Sequence, residues 1–509
     1  MPPHKRTRTG CWTCREAGYK CDEQRPYCGR CTRLKIACKG YDVKLKWVST
    51  TAASPPRKRP RGAETRRSLE RTSTFSPIST RSTSSAPAGP DADTRSRRDE
   101  WVDPGILAPI AMPVLAPDLT ATDRHLLYHW MNHLSSLISI TPRKAQPSSF
   151  QAHLASMTIN PGALQSTVLS MAANHLALAS NNPSMRIHAY RHQQNAIELL
   201  QRLILDPIEA SSEPALATVL MMQISARYFG EEDVEPHMAN HLAGAKAMLS
   251  QRRGPGAWKT SSSARFLVSL FAYHDILSSV SRRSCPLNES THDFTAVEDS
   301  ESMQSIAEVL HIVGSISKMR KAKMSQTPSH SGPATHVSVG MDMWGNQMKT
   351  ALQEMDFRSF PRSGKGVEGD HADINVTAEA FRQAAFIYLY RVWLGFGAPN
   401  PITLEHVSRC LSCIEQTPID SPLVMSHIWP LFTAGCEALS DAHRQFVRDR
   451  FQAMYETRNF PGIKRVMRDI EAVWFTKDLE ELVGEDGGME KIDCIQVIWR
   501  QRGREVDLA

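Results

Sequence analysis

Six cysteines, Cys11, Cys14, Cys21, Cys28, Cys31 and Cys38, stand at the spacing Cys-x2-Cys-x6-Cys-x6-Cys-x2-Cys-x6-Cys. Thiolates are soft ligands, and two tetrahedral zinc ions present eight coordination positions, which six thiolates fill only if two sulfurs bridge both metals. Such a site has no place for water, so the zinc it implies is structural rather than catalytic. The surrounding stretch holds too few apolar residues to build a core, so metal binding and folding are expected to be one event. A disulfide framework would suit a secreted chain, but this one opens MPPHKRTRTG, without an apolar leader segment, and a reducing interior fits better. A plant-type iron-sulfur site uses another spacing. Scattered reduced thiols would not repeat Cys-x2-Cys-x6-Cys in tandem, and that repeat predicts two similar halves.

The segment GCWTCREAGYKCDEQRPYCGRCTRLKIACKGY resembles, cysteine for cysteine, the binuclear zinc cluster (Zn(II)2-C6 type) DNA-binding domain of fungal transcription factors. The resemblance implies that Cys11 and Cys28 are the bridging sulfurs, that each half carries a short helix, and that Pro26 shapes the loop between halves. In the family the spacer between the second and third cysteines carries a basic pair that reaches base edges. Here that pair falls on Ala17 and Gly18, and Glu16 adds a charge that phosphates repel. Arg15 and Lys20 match the family's basic positions and are expected to contact phosphate or base. Gly18 would let the backbone approach the groove, with Tyr19 hydrogen-bonding a phosphate. Arg33 and Lys35 in the second spacer, with Arg6 and Arg8 in the N-terminal arm, add positive charge. DNA binding is expected to persist with an altered or relaxed site. The alternative is an interaction protein or co-regulator that has lost base reading at Ala17 and Gly18 and binds another regulator.

Charge supports a nucleic-acid partner independently of the cysteines. Residues 1–100 hold 23 Lys and Arg against 10 Asp and Glu, a surplus of 13, whereas the whole chain carries only +7, so the remainder is net acidic. A basic block of this kind neutralises phosphates and releases counterions, giving affinity that falls steeply with salt. Residues 49–117, rich in Ser, Thr, Pro and Arg, are expected to form a disordered linker, because they cannot bury enough apolar surface to offset ordering entropy. No heptad repeat follows the cluster, which leaves monomeric binding or a homodimer through the C-terminal region. Within the linker, Arg57, Lys58, Arg59 and Arg61 read as a nuclear import signal, and Ser76-Pro77 has the pattern of a proline-directed kinase site, a pair that is also common in disordered segments without a regulatory role. The expected location is the nucleus.

From residue 118 to 509 the composition is that of a large globular domain, and its periodicity is helical. Between Asp123 and Ile138, Leu126, Leu127, Trp130, Met131, Leu134, Leu137 and Ile138 mark one apolar face. Asn160-Pro161, Asn182-Pro183, Ser212 with Pro214, and Pro236 read as helix starts, and Gly254 as a stop. Residues 323–338 and 358–373 read as long loops. No alternating strand run occurs, so the expected fold is a small zinc-organised cluster with two short helices plus an all-α domain. The runs Ser170–Leu178, Ala215–Phe229 and His241–Lys246 are similar to the regulatory domain that accompanies such clusters. That resemblance implies a domain that relays signals or contacts transcription machinery and co-regulators.

No catalytic constellation is present, so the expected chain is not an enzyme. His125, His129 and His133 share a helix face without a carboxylate partner and read as a polar helix edge. His188 with His192, and His237 with His241, lack the glutamate of a zinc protease motif. Cys410 and Cys413 read as buried helix residues, and Cys285, Cys436 and Cys494 as ordinary thiols. The apolar run Ala384–Phe396 contains Arg391 and is too short to span a bilayer. Acids alternate with leucines from Asp478 to Asp486, as in activation segments, or in an amphipathic helix ending in an exposed turn. The function expected is a zinc-dependent, sequence-specific regulator of RNA polymerase II genes. The sequence reading further favours an activator of one metabolic pathway, with a secondary-metabolite gene cluster as the target class.

Overall fold

The computed structural model describes residues 11–17, 19–22, 24, 28–36, 38, 119–139, 147–230, 238–251, 258, 261–288, 301–325, 334–357, 368–483 and 488–508. Every described element is helical. The cluster holds α1 (Trp12–Glu16) and α2 (Gly29–Arg33), each capped by a cysteine, Cys11 or Cys28. Arg6, Arg8, Gly18, Pro26, the linker with Arg57, Lys58, Arg59 and Arg61, and Ser76 lie outside the described residues.

The large domain is all-α. It begins with α3 (Ala121–His129), which the sequence reads as one helix to Ile138. Its hydrogen bonding widens to a π-helical turn at Trp130–Leu134 before a last turn, Ser135–Leu137. Next come α4 (Ser149–Ile159), α5 (Ala163–Ala179), α6 (Pro183–Leu203), α7 (Pro207–Ala210) and α8 (Glu213–Phe229). They are followed by α9 (Met238–Gln251), α10 (Ser262–Arg282), α11 (Glu301–Ser325), α12 (Ala334–Glu354) and α13 (Glu368–Trp393). The last are α14 (Pro401–Gln416), α15 (Ile428–Cys436), α16 (Asp441–Arg458), α17 (Pro461–Val483) and α18 (Cys494–Arg502).

Local chemistry sets several of these boundaries. Asn182 and Ser212 cap α6 and α8 through their side chains, with proline in the first turn of each. Asn160-Pro161 does not start a helix as expected. Asn160 closes α4, and α5 begins at Ala163 after Gly162. The expected long loops are also shorter, because α11 runs to Ser325, α12 starts at Ala334 and α13 at Glu368. Polar and glycine-rich composition read as loop there, but composition is a weak guide to helix ends. Pro236 and Gly254 lie outside the described residues.

Two largely buried helices form the hubs. Every residue of α5 from Ala163 to Ala173 is buried, and α3, α6 and α8 pack around it. Around α13, which buries Phe381, Ala384, Ala385, Ile387 and Leu389, lie α11, α12, α14 and α15. The α17 helix touches α8, α15, α16 and α18 and so joins the two hubs. Trp429 and Phe381 are fully buried and 5.5 Å apart between ring centres, each contributing roughly 1.5–3 kcal/mol through apolar surface removed from water. Among the described residues no helix is long and apolar enough to cross a membrane.

One charged knot sits inside this core. Glu437 receives Lys477 Nζ, Arg391 and the Ala398 amide. Burial alone would raise the Glu437 carboxyl, but Lys477 and Arg391 outweigh it and hold it at about 2.

Candidate metal centre and nucleic-acid interface

The six cysteine sulfurs converge. Cys11, Cys14, Cys21 and Cys28 form one group, and Cys11, Cys28, Cys31 and Cys38 a second, with all ligand atoms in each within 4.8 Å. Cys11 and Cys28 belong to both groups. Their sulfurs are 3.6 Å apart, Cys11 lies 3.9 Å from Cys31, and Cys14 lies 3.7 Å from Cys28. A zinc–sulfur bond of about 2.3 Å gives a tetrahedron edge of about 3.8 Å, so this donor set fits two zinc ions sharing two sulfurs. Burial is the largest cause that raises the thiols of Cys11, Cys28 and Cys31, Cys28 to about 12. A dry thiol cluster needs a bound cation to ionise.

Main-chain donors then offset the surplus negative charge of six thiolates on two divalent ions. The Cys14 amide donates to Cys11 Sγ at 3.4 Å, the Cys31 amide to Cys28 Sγ at 3.3 Å, and the Cys11 amide to Cys21 Sγ at 3.3 Å. Arg30 directs a guanidinium N–H at Cys14 Sγ, 3.8 Å away, a charge-assisted contact from the opposite half.

The two halves are related by an offset of 17 residues, as the tandem cysteine repeat predicts. Ala17 N bonds Thr13 O and Leu34 N bonds Arg30 O, both at 3.1 Å, while Tyr19 N bonds Cys14 O at 2.9 Å and Ile36 N bonds Cys31 O at 3.1 Å. Each helix therefore ends with the same N–H to C=O closure, and in the second half that closure brackets Lys35, whose backbone lies in the left-handed region.

Asp22, which the sequence reading passed over, ties the halves together. Its carboxylate accepts from the amides of Gly29 at 3.0 Å, Arg30 at 2.8 Å and Gln24 at 3.3 Å, so it satisfies the open N–H groups at the start of α2. Gly29 makes room for it, because a Cβ there would lie 2.9 Å from Asp22 Oδ2. An acid directly after the third cysteine, the first of the pair Asp22-Glu23 in a basic stretch, was the available signal.

The expected DNA-contacting residues divide into engaged and open groups. Arg15 lies over the Trp12 ring at 4.2 Å, and Arg30 over the Tyr19 ring at 3.9 Å, cation–π contacts that orient these cations. Tyr19 remains 60% exposed despite its partner. Lys20, Arg33 and Lys35 are exposed. Ala17 is exposed and offers only a methyl group.

The histidines of the helical domain need one correction. His125 and His133 are exposed, as a polar edge requires, but His129 is half-buried, and the rings of His129 and His133 lie 5.1 and 5.7 Å from that of His175 of α5. His175 Nε2 faces the Arg458 carbonyl at 3.1 Å and so carries the proton. Its Nδ1 therefore accepts from His129 Nε2 at 2.9 Å. Burial, with neighbouring imidazoles second, lowers His129 to about 3, and burial lowers His175 to about 4, so both imidazoles are neutral at pH 7. His192 pairs with Asp123, and His237 lies outside the described residues. Cys410 and Cys436 are buried and Cys413, Cys285 and Cys494 partly so. In the acid–leucine stretch, Asp478 pairs with Arg444, and α17 continues to Val483 with Leu482 exposed.

Comparison with known proteins follows this division. The family model "Fungal specific transcription factor domain" matches residues 125–506, and "Fungal Zn(2)-Cys(6) binuclear cluster domain" matches residues 9–48. Curated relatives are similar over short stretches of the chain. "Arginine metabolism regulation protein II" of Saccharomyces cerevisiae is 46% identical over 50 residues, 10% of this chain and 6% of that protein. "Sterol uptake control protein 2" of Candida albicans is 58% identical over 38 residues, 8% of this chain and 5% of the relative. "Pestheic acid cluster transcriptional regulator 3" of Pestalotiopsis fici is 49% identical over 43 residues, 8% of each. The match thus spans well under a tenth of these relatives' length. No solved structure matches the chain.

Proposed function

The chain belongs to the fungal specific transcription factor family with a binuclear zinc cluster, and from that premise we propose that it is a nuclear, sequence-specific DNA-binding regulator. In this reading Cys11, Cys14, Cys21, Cys28, Cys31 and Cys38 hold two zinc ions that only build the fold. The residues around the metals do the binding: Lys20, Arg33 and Lys35 with Arg15 meet duplex DNA, and Arg6 and Arg8 extend the contact. The observation that carries the reading is the paired cysteine geometry, with two sulfurs common to both groups, set in a basic segment. Arg57, Lys58, Arg59 and Arg61 serve nuclear import, and the helical domain contacts transcription machinery or a second copy. An activator of one metabolic pathway is the proposed role, and relatives named for arginine metabolism and a pestheic acid cluster support that target class, secondary metabolism included.

The exposed methyl of Ala17 favours a second reading, in which the cluster folds but reads no bases and the chain acts on another regulator. Selection of the zinc-loaded chain against random duplex DNA at two salt concentrations decides between them. Enrichment of a short motif supports the regulator. Salt-sensitive binding without enrichment supports the interaction protein, because phosphate contacts carry no sequence information.

A further inference from the structure

The two halves of the cluster are built alike but decorated differently. The offset of 17 places Lys35 where the first half has Gly18. Lys35 adopts φ 52°, a left-handed conformation, at the position that closes the α2 helix through Ile36 N and Cys31 O. Glycine is the residue this closure favours, because a side chain there crowds the following carbonyl. The sequence uses glycine in the first half and a strained lysine in the second. Strain retained at an exposed position points to a role for the side chain rather than for the fold.

The surroundings of Lys35 point the same way. Among the described residues no hydrogen bond or ion pair engages its ammonium, and its neighbours in the chain are open too: Arg33 is exposed, and Leu34 and Ile36 are 51% and 44% exposed. On the other half the matching surface offers Ala17 and Gly18, and Arg15 is held on Trp12.

We propose that base recognition has moved to the second half of the cluster, with Lys35 as its specificity-determining residue. The inference rests on the DNA-binding reading above. The ligand feature it takes is a pair of major-groove acceptors such as guanine O6 and N7, which suit an ammonium donor, while Arg33 holds phosphate.

The test is selection of the full zinc-loaded chain against random duplex DNA, followed by titration of the recovered duplex. Lys35→Gly relieves the left-handed strain, so it keeps its zinc, and loss of binding cannot be put down to misfolding. Lys35→Asn, also tolerant of that conformation, is the second variant. Both are expected to lose preference at one or two base positions, with the specific-to-nonspecific ratio falling by roughly 5- to 150-fold, the range for one base contact. Arg33→Ala is expected to weaken all duplexes alike. If the wild-type chain shows a motif and both Lys35 variants keep it unchanged, the inference falls and the DNA-binding reading stands. If the wild-type chain shows no motif, both fall.

Discussion

Removing the Asp22 carboxylate tests whether the two halves of the cluster are coupled as described. Its oxygens accept from three amides at 2.8–3.3 Å, two of them at the start of α2. These amides are exposed, so water replaces the lost acceptor and the cost stays near that of an ordinary helix cap, about 1 kcal/mol. Loss of the negative charge at the helix start adds about 0.5 kcal/mol. Because binding of the two zinc ions and cluster folding are one event, the sum of about 1.5 kcal/mol lowers the overall affinity for the pair about tenfold, or about threefold per ion. Chelator competition on the full chain, read by the colour of the zinc complex, measures this. Asp22→Ala should release zinc at about one-third the chelator strength needed for the wild type, whereas Asp22→Asn, which keeps an acceptor, should shift it only about 1.5-fold. A wild-type midpoint for Asp22→Ala would refute the proposed coupling.

Three further outcomes follow from the helical domain. Glu437→Gln leaves Lys477 buried without its carboxylate, and chemical denaturation should show a loss of about 3–5 kcal/mol. A loss below 1 kcal/mol would mean that the knot is solvated. The same carboxyl, held at about 2 in the fold, contributes stability that is complete above its unfolded value and is lost as pH falls toward 2. His129 and His175, lowered to about 3 and 4, act at higher pH: the unfolded chain binds their protons first. Each should therefore reduce stability by about 1.4 kcal/mol per pH unit as pH falls below 6.5. Denaturant midpoints of the wild type at pH 7 and pH 5, compared with His129→Gln, would show a smaller drop in the variant, and equal drops would exclude this source.

The cluster was legible because its chemistry is local. Cysteine spacing alone implied shared ligands and two similar halves, and the sulfur groups and repeated hydrogen bonds display both. Helix starts were legible where side-chain caps carry the information, at Asn182 and Ser212. Asn160 misled because asparagine before proline suits either end of a helix, and the choice was made by burial of the α5 residues from Ala163 onward. The partnership of His129 with His175 could not be read, since it joins residues 46 apart across helices, with a π-helical turn following His129 that no periodicity announces. Asp22 and Arg30 escaped for a related reason: each acts across the halves, on backbone or sulfur, and pattern reading sees only spacing within a half.

The most direct measurement is DNA binding and helical content followed together while a chelator removes zinc from the full chain. DNA binding should disappear as the zinc leaves, while the circular dichroism of the large helical domain stays nearly unchanged, and added zinc should restore binding. Binding that survives complete removal of the metal would contradict the claim that the six-cysteine cluster builds the DNA-reading surface.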